Sequence, residues 1–447
     1  MKITSKQRHY ALAILTLTYV FNFLDRQLLA ILLEPIKNEF GVSDTAMGLL
    51  YGLAFSLFYA TLAIPVARLA DRSSRRNILA VAAGLWSIMT VACGLAANFW
   101  QMLFLRMGVA VGEAGGVPPS QSMVNDLYPP EHRARAMAIF SSATFIGTLL
   151  AMVGGAYIAQ NYGWRAAFFI VGAPGILLAI IIRFTVPEPQ RGTWDKPSDH
   201  HESSAKTEST ANTQSLLEVF SGMWQMPALR YLMLGCAMAG LAGYALGYWV
   251  PAFMMRVHDL SLMQAGVMIG GLGAIMGLIG SLFGAWLCDR YSQSNRNWLL
   301  YIPALSLAIS LPLMLLFLSF SEASTFTLAG QTVPTAILIY CAAGFVGAWW
   351  AAPTYVAVQE MVAPNQRTLA CAILLFIMNL IGFGLGPLLV GLFSDMLTPA
   401  YGNDGVRYAL MIVMSSYVPS MYFYYRAGSL FGKQLFNNQT DNAKTAL

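Results

Sequence analysis

Twelve stretches of the chain are almost unbroken runs of apolar residues. They fall near 10–33, 45–68, 77–97, 99–125, 135–159, 165–186, 227–255, 262–288, 297–319, 333–361, 367–396 and 405–426. Each is about as long as a helix that crosses a bilayer, roughly 20 residues. All twelve are predicted to be helices, because an open strand in lipid cannot satisfy its backbone polar groups. The pattern breaks at length once, between Pro187 and Trp224. That stretch holds Pro187, Pro189 and Pro197, the acids Asp195, Asp199, Glu202 and Glu208, and a Ser/Thr-rich run from Ser203 to Ser215. It reads as a polar linker. Leu216–Met223 predicts a short helix lying at the membrane surface.

The expected fold class is therefore an all-α membrane protein, with twelve transmembrane helices in two six-helix halves. Residues 1–186 are the N-terminal half, 187–226 a cytoplasmic linker, and 227–447 the C-terminal half with a short cytoplasmic tail. The halves repeat. Ala67-Arg68-Leu69-Ala70-Asp71-Arg72 after the second stretch matches Ala285-Trp286-Leu287-Cys288-Asp289-Arg290 after the eighth. Pro119, Pro130, Arg133 and Ala136 match Pro353, Pro364, Arg367 and Ala370 at one constant offset. A same-sense repeat of six helices is the mark of two halves related by an axis along the membrane normal.

Composition agrees with the pattern. The 447 residues are 57% hydrophobic and 11% charged, with mean hydropathy +0.57, whereas soluble domains average about 25% charged. The net charge of +5 reads as topology, not as nucleic-acid binding. Lys and Arg concentrate on one side of the twelve passes, with only Lys37, Arg165, Arg256 and Arg407 opposite. By the positive-inside rule both termini and the linker are expected in the cytoplasm, in a bacterial inner membrane. No cleavable signal peptide is expected, since the first apolar run is too long for one. The five cysteines lie in or beside apolar runs, without the spacing of a disulfide framework or metal site.

Four charges interrupt the apolar runs of the first half. Asp25 and Arg26 sit in the first, and Arg106 and Glu113 in the fourth. A charge at membrane depth costs roughly 2.5–3.5 kcal/mol even on lenient scales, so such residues face an interior or a partner. Arg106 and Glu113 are seven apart and share a helix face. The four charges sum to zero and can neutralise one another. Arg cannot release its proton, so Asp25 and Glu113 are the candidate proton carriers. Arg26 and Arg106 are the candidate anchors for a phosphate or carboxylate. The plainer alternative is that both arginines only neutralise the acids and the cluster is static packing.

The second half offers aromatics instead: Tyr244, Tyr248, Trp249, Trp349, Trp350 and Tyr355, with Met378 and Asn379. Of these Tyr244, Tyr248, Trp349, Tyr355 and Asn379 are candidate substrate contacts. A charged half beside an aromatic one suits an amphipathic solute.

With these residues in view, the chain resembles the major facilitator superfamily along its full length. Asp71-Arg72-Ser73-Ser74-Arg75-Arg76 is similar to that superfamily's loop between helices two and three, with Ala67 and Ser74 where glycines are usual. The resemblance implies a cytoplasmic gate made by Asp71, Arg72, Arg75 and Arg76 with the second copy at Asp289 and Arg290. Within the superfamily, Asn22-Phe23-Leu24-Asp25-Arg26 and Gly108-Val109-Ala110-Val111-Gly112-Glu113-Ala114 resemble the Spinster family, which implies transport of lysophospholipids or sphingosine-type lipids.

The expectation is a proton-coupled secondary transporter of an amphipathic lipid-like solute, working as a monomer by alternating access. Its partners are that solute, protons and membrane lipids. A carrier of small organic anions or drugs is the alternative. No catalytic residues, cofactor or metal are expected. Gly428-Ser429-Leu430-Phe431-Gly432-Lys433 is one residue short of a phosphate loop, and no Ser/Thr follows its Lys.

Overall fold

The computed structural model describes residues 3–194, 216–320, 324–328, 331–362 and 366–445. The Ser/Thr-rich part of the linker, 195–215, lies outside them.

Helices dominate because the apolar runs leave the backbone no other way to satisfy itself. The first, α1 (Ser5–Ile31), is started by a capping box in which Thr4 and Gln7 exchange side-chain and backbone bonds. It continues into α2 (Leu33–Phe40). The second pass runs from α3 (Asp44–Gly48) through a π turn, Leu49–Leu53, to α4 (Ala54–Arg72). Then come α5 (Arg75–Cys93), capped by Ser74, and α6 (Phe99–Glu113), capped by Asn98. The pass begun by α6 is completed by α7 (Val117–Leu127). A long pass made of α8 (Pro130–Leu149), a π turn at Leu150–Gly154 and α9 (Gly155–Tyr162) leads to α10 (Trp164–Thr185).

Ten stretches among the described residues are long and apolar enough to cross a membrane. One of them, Leu369–Gly432, has 64 residues, about three times a single crossing. It turns at Gly402–Asp404 and holds two passes. The α6–α7 pass adds another, and the count among the described residues is twelve. A short helix is present at Leu216–Gln225, two residues longer than the expected Leu216–Met223. The loop before the tenth pass is not irregular throughout. Thr325–Leu328 pairs antiparallel with Gln331–Pro334, Thr325 opposite Pro334, so a short hairpin stands outside the membrane helices.

Two compact units emerge from the packing, and their boundary does not follow the chain. The first comprises Met1–Glu202, Gly247–Gly271 and Pro387–Met396. In it α5 lies between α6 and α10, and α1 packs along α8. The approach of α6 to α5 is close enough that a Cβ on Gly112 would sit 2.6 Å from the Trp86 amide nitrogen. Only glycine permits that contact, one residue before Glu113. The second unit comprises Ser203–Leu246, Leu272–Gly386 and Leu397–Leu447. Its centre is the helix Trp298–Ser319, packed against Ala336–Gly347 and Tyr417–Thr445.

Further π turns occur at Gly266–Leu272 and Met378–Leu385. Together with the first two they fall in the second, fifth, eighth and eleventh passes. Such turns break the regular hydrogen-bond ladder and are frequent at functional positions.

Candidate functional site

The four charges of the first half lie together within the first unit. Successive residues on a helix point about 100° apart, so Asp25 and Arg26, though adjacent, reach different partners. Asp25 Oδ1 accepts from Arg106 Nη1 at 3.0 Å, and Oδ2 accepts from the Thr90 hydroxyl. Arg26 donates twice to one oxygen of Glu113, through Nε at 3.1 Å and Nη2 at 2.6 Å. Two crossed ion pairs thus tie α1 to α6, with α5 contributing Thr90.

Phe55, beside the π turn of the second pass, stands between the guanidiniums. Its ring centre is 5.0 Å from that of Arg26 and 5.6 Å from that of Arg106. Arg26 also lies 4.7 Å from the Tyr59 ring centre and 5.6 Å from that of Phe23. Aromatic faces stabilise a cation without competing for its donors.

Burial distinguishes the members. Asp25, Arg106 and Glu113 are at most 1% exposed, while the Arg26 side chain keeps 13%. Arg26 is the accessible charge of the four. Several buried polar atoms here have no hydrogen-bond partner among the described residues: Glu113 Oε1, Arg106 Nε and both amide atoms of Asn22. Asn22 lies one turn before Asp25 and Arg26. Unsatisfied groups at such depth cost about 1–3 kcal/mol each, so the arrangement is far from saturated. The helix carrying Glu113 ends on that residue. Ala114–Gly116 turn the chain, and Pro118 and Pro119 restart it in α7.

The expected gate residues are placed differently from one another. Arg75 is 2% exposed and is not a surface charge. It donates to Asp126, to Ser122 Oγ at 2.8 Å, to Glu188 Oε1 at 3.1 Å and to the Pro189 carbonyl at 2.6 Å. Glu188 also accepts from Ser74 Oγ at 2.7 Å and the Arg76 amide at 2.8 Å. Burial pushes the Glu188 carboxyl up, but these bonds and Arg75 outweigh it and hold the group below its ordinary range. The start of the expected linker is thereby fastened to the α4–α5 corner. Arg72, Asp289 and Arg290 are exposed and Arg76 is half-buried; the Asp71 side chain lies outside the described residues.

Of the aromatic candidates, Tyr248 is fully buried in the first unit. Its ring stacks on Tyr51 at 3.9 Å, and its hydroxyl donates to the Met47 carbonyl at 3.2 Å. The others belong to the second unit. Tyr244 meets Phe383 edge-on at 5.3 Å. Trp349 packs against Phe283 and Phe345, and its Nε1 has no partner among the described residues. Asn379 is half-buried and donates to the Leu375 carbonyl at 2.8 Å, and Tyr355 is half-buried.

Sequence reasoning missed Thr90, Phe55 and Tyr59. A single threonine or aromatic in an apolar helix carries no signal of its own until its neighbours are known. It also read Lys37 and Arg256 only as topology charges and passed over Glu34, Asp44 and Asp395, although the five bond to one another within the first unit.

A sequence model of the Major Facilitator Superfamily matches residues 15–330. An MFS-type efflux pump of Mycolicibacterium smegmatis is 32% identical over 91% of this chain and 89% of that protein. Protein spinster homolog 1 of Homo sapiens is 25% identical over 87% of this chain and 73% of that protein. Among solved structures, a bacterial homologue of the human lysosomal transporter Spinster, inward-facing and unoccupied, superposes with a TM-score of 0.84. It is 30% identical, over 96% of this chain and 99% of that one.

Proposed function

The chain belongs to the Major Facilitator Superfamily, and from that premise we propose that it is a proton-coupled carrier of an amphipathic, lipid-like anion working by alternating access. That it is a multi-pass membrane transporter follows from the family. The substrate class and the coupling are our reading, supported most by the crossed pairs Asp25–Arg106 and Arg26–Glu113.

In this reading Arg26 is the anchor for an anionic head group. It is the least buried member of the cluster, and its fork is committed to a single Glu113 oxygen. An anion arriving at Arg26 competes with Glu113 for the same donors. A carboxylate displaced from its cation at this depth is costly to keep charged, and it takes up a proton instead. Asp25, tied to Arg106 and Thr90, is the second proton carrier. Arg106 neutralises it and supports the anchor. Tyr244, Tyr248, Trp349, Tyr355 and Asn379 are proposed contacts for the apolar part of the solute.

The proposed organisation is two six-helix halves, 1–186 and 227–447, joined by a linker at 187–226, in a bacterial inner membrane. Both termini are cytoplasmic, and the carrier acts as a monomer. Asp71, Arg72, Arg75, Arg76, Asp289 and Arg290 are proposed to close the cytoplasmic side. Arg75 acts there through its bonds to Asp126 and Glu188.

A second reading, a carrier of small organic anions or drugs, is favoured by the 32% identity to a protein named an efflux pump. Uptake into liposomes separates the two. A fluorescent lysophosphatidate should be transported in response to an imposed pH gradient. If it is not, while a small aromatic carboxylate is, the lipid reading fails.

A further inference from the structure

A basic patch of the second unit takes no part in the site described above. It is built where the seventh pass begins and the twelfth ends. Arg230 stands in the first turn of the helix Pro227–Val257, which follows the short helix Leu216–Gln225. Arg426 lies on the helix Tyr417–Thr445. Both guanidiniums meet one ring, that of Tyr231, whose centre is 5.8 Å from Arg230 and 5.9 Å from Arg426. Tyr231 in turn lies 6.1 Å from Phe423, so the two passes are joined at this point.

Neither arginine has a carboxylate partner among the described residues. Arg296 of the same unit, by contrast, pairs with Glu360 at 3.3 Å. An aromatic face holds a guanidinium without using its N–H donors. Arg426 is exposed and Arg230 half-buried. The patch therefore offers two positioned cations whose donors are free for an anion.

An apolar stripe runs up to it. Val418, Tyr422 and Tyr425 are exposed and recur at i, i+4 and i+7 on the helix that carries Arg426, so they share one face. In a chain that spans a bilayer such a face meets acyl chains. Tyr425 stacks on Tyr301 of the ninth pass at 5.6 Å, and tyrosines of this kind collect at the level of lipid head groups. The stripe leads from the hydrocarbon to the arginine pair, which is the layout of a phospholipid's own tails and phosphates. A soluble anion would use the charges and leave the stripe without a role.

We propose that Arg230, Tyr231 and Arg426 form a site for an anionic phospholipid of the surrounding bilayer, one that carries two phosphates, as cardiolipin does. Guanidiniums hold phosphate oxygens through charge-assisted, bidentate bonds, and basic pockets between membrane helices suit such head groups. The lipid bound there bridges the seventh and twelfth passes as a resident of the second unit, and is distinct from the transported solute. Its leaflet follows from the orientation proposed above; the site itself is independent of the transport reading.

Native mass spectrometry of the full-length protein, titrated with cardiolipin in detergent, tests the site. Wild type should retain one cardiolipin in preference to phosphatidylcholine. R230Q and R426Q should each weaken that binding about tenfold, the loss expected when a bond to a charged group is removed. R296Q is the control, because it removes the same charge outside the patch and should bind as wild type does. If R230Q does not fold, R426Q, at an exposed position, carries the test. Wild-type retention by R426Q overturns the proposal, and so does an equal loss in R296Q, which would mean general charge attraction. Retention of phosphatidylcholine as tight as that of cardiolipin would leave only an apolar annulus. Displacement of cardiolipin by an equal concentration of inorganic pyrophosphate would make this a site for soluble anions and overturn the lipid assignment.

Discussion

Asp25 is paired not with Arg26 beside it but with Arg106 on another helix, Oδ1 to Nη1 at 3.0 Å. Removing one partner of such a pair leaves a buried charge uncompensated, which costs about 3–5 kcal/mol. Arg106→Gln should therefore lower stability sharply, and Asp25→Asn added to it should recover most of the loss. Thermal unfolding of the two single variants and the double gives the coupling directly.

Thr90 supplies the second bond to Asp25. Its hydroxyl also lies 2.9 Å from the Trp86 carbonyl, and one proton serves both. Thr90→Val keeps the shape and deletes the donor. A hydrogen bond to a charged group contributes about 1.5–3 kcal/mol, so the melting temperature should fall, while Thr90→Ser should stay near wild type.

Arg26 is proposed to meet the anionic head. Arg26→Lys keeps the charge but loses the planar fork. Binding of lysophosphatidate, read by microscale thermophoresis, should weaken about tenfold, the equivalent of about 1.4 kcal/mol. Wild-type affinity in Arg26→Lys would remove this residue from the head-group role.

Glu188 gives a pH dependence outside the membrane helices. Its folded carboxyl is held low by Ser74, the Arg76 amide and Arg75 against the opposing effect of burial. Its contribution is therefore complete above the unfolded value, about 4.3, and is lost as pH falls through the lower folded value. The melting temperature of wild type should exceed that of Glu188→Gln by a constant margin at pH 6–7. The margin should shrink below about pH 4. A margin that grows on acidification would contradict the assignment.

Much of the architecture was legible in the sequence because lipid leaves few choices: apolar runs of sufficient length must be helices. The four charges of the cluster were legible for the same reason, since Asp25, Arg26, Arg106 and Glu113 are conspicuous where charge is expensive. Their pairing was not. Periodicity placed Arg106 and Glu113 on one face, but which acid each arginine takes depends on the relative rotation of α1 and α6. Packing such as Gly112 of α6 against Trp86 of α5 positions α6 in the bundle, and periodicity does not reveal it. The bonds of Arg75 were hidden because Asp126 and Glu188 are far from it in sequence. Asp44 and Arg256 were hidden because a charge at a helix end raises no alarm until its partner is known.

The cluster is proposed to carry the proton, and Glu113→Gln separates that role from static packing. Gln keeps the shape but does not titrate. The measurement is uptake of fluorescent lysophosphatidate into liposomes with and without an imposed pH gradient, beside the melting temperature. The account predicts that Glu113→Gln folds, binds the anion at least as well as wild type because Arg26 is freed, and loses the response to the gradient. Asp25→Asn, measured in parallel, should impair the same response. Normal gradient-driven uptake by both variants, with stability alone reduced, would contradict the account and leave the cluster as static packing.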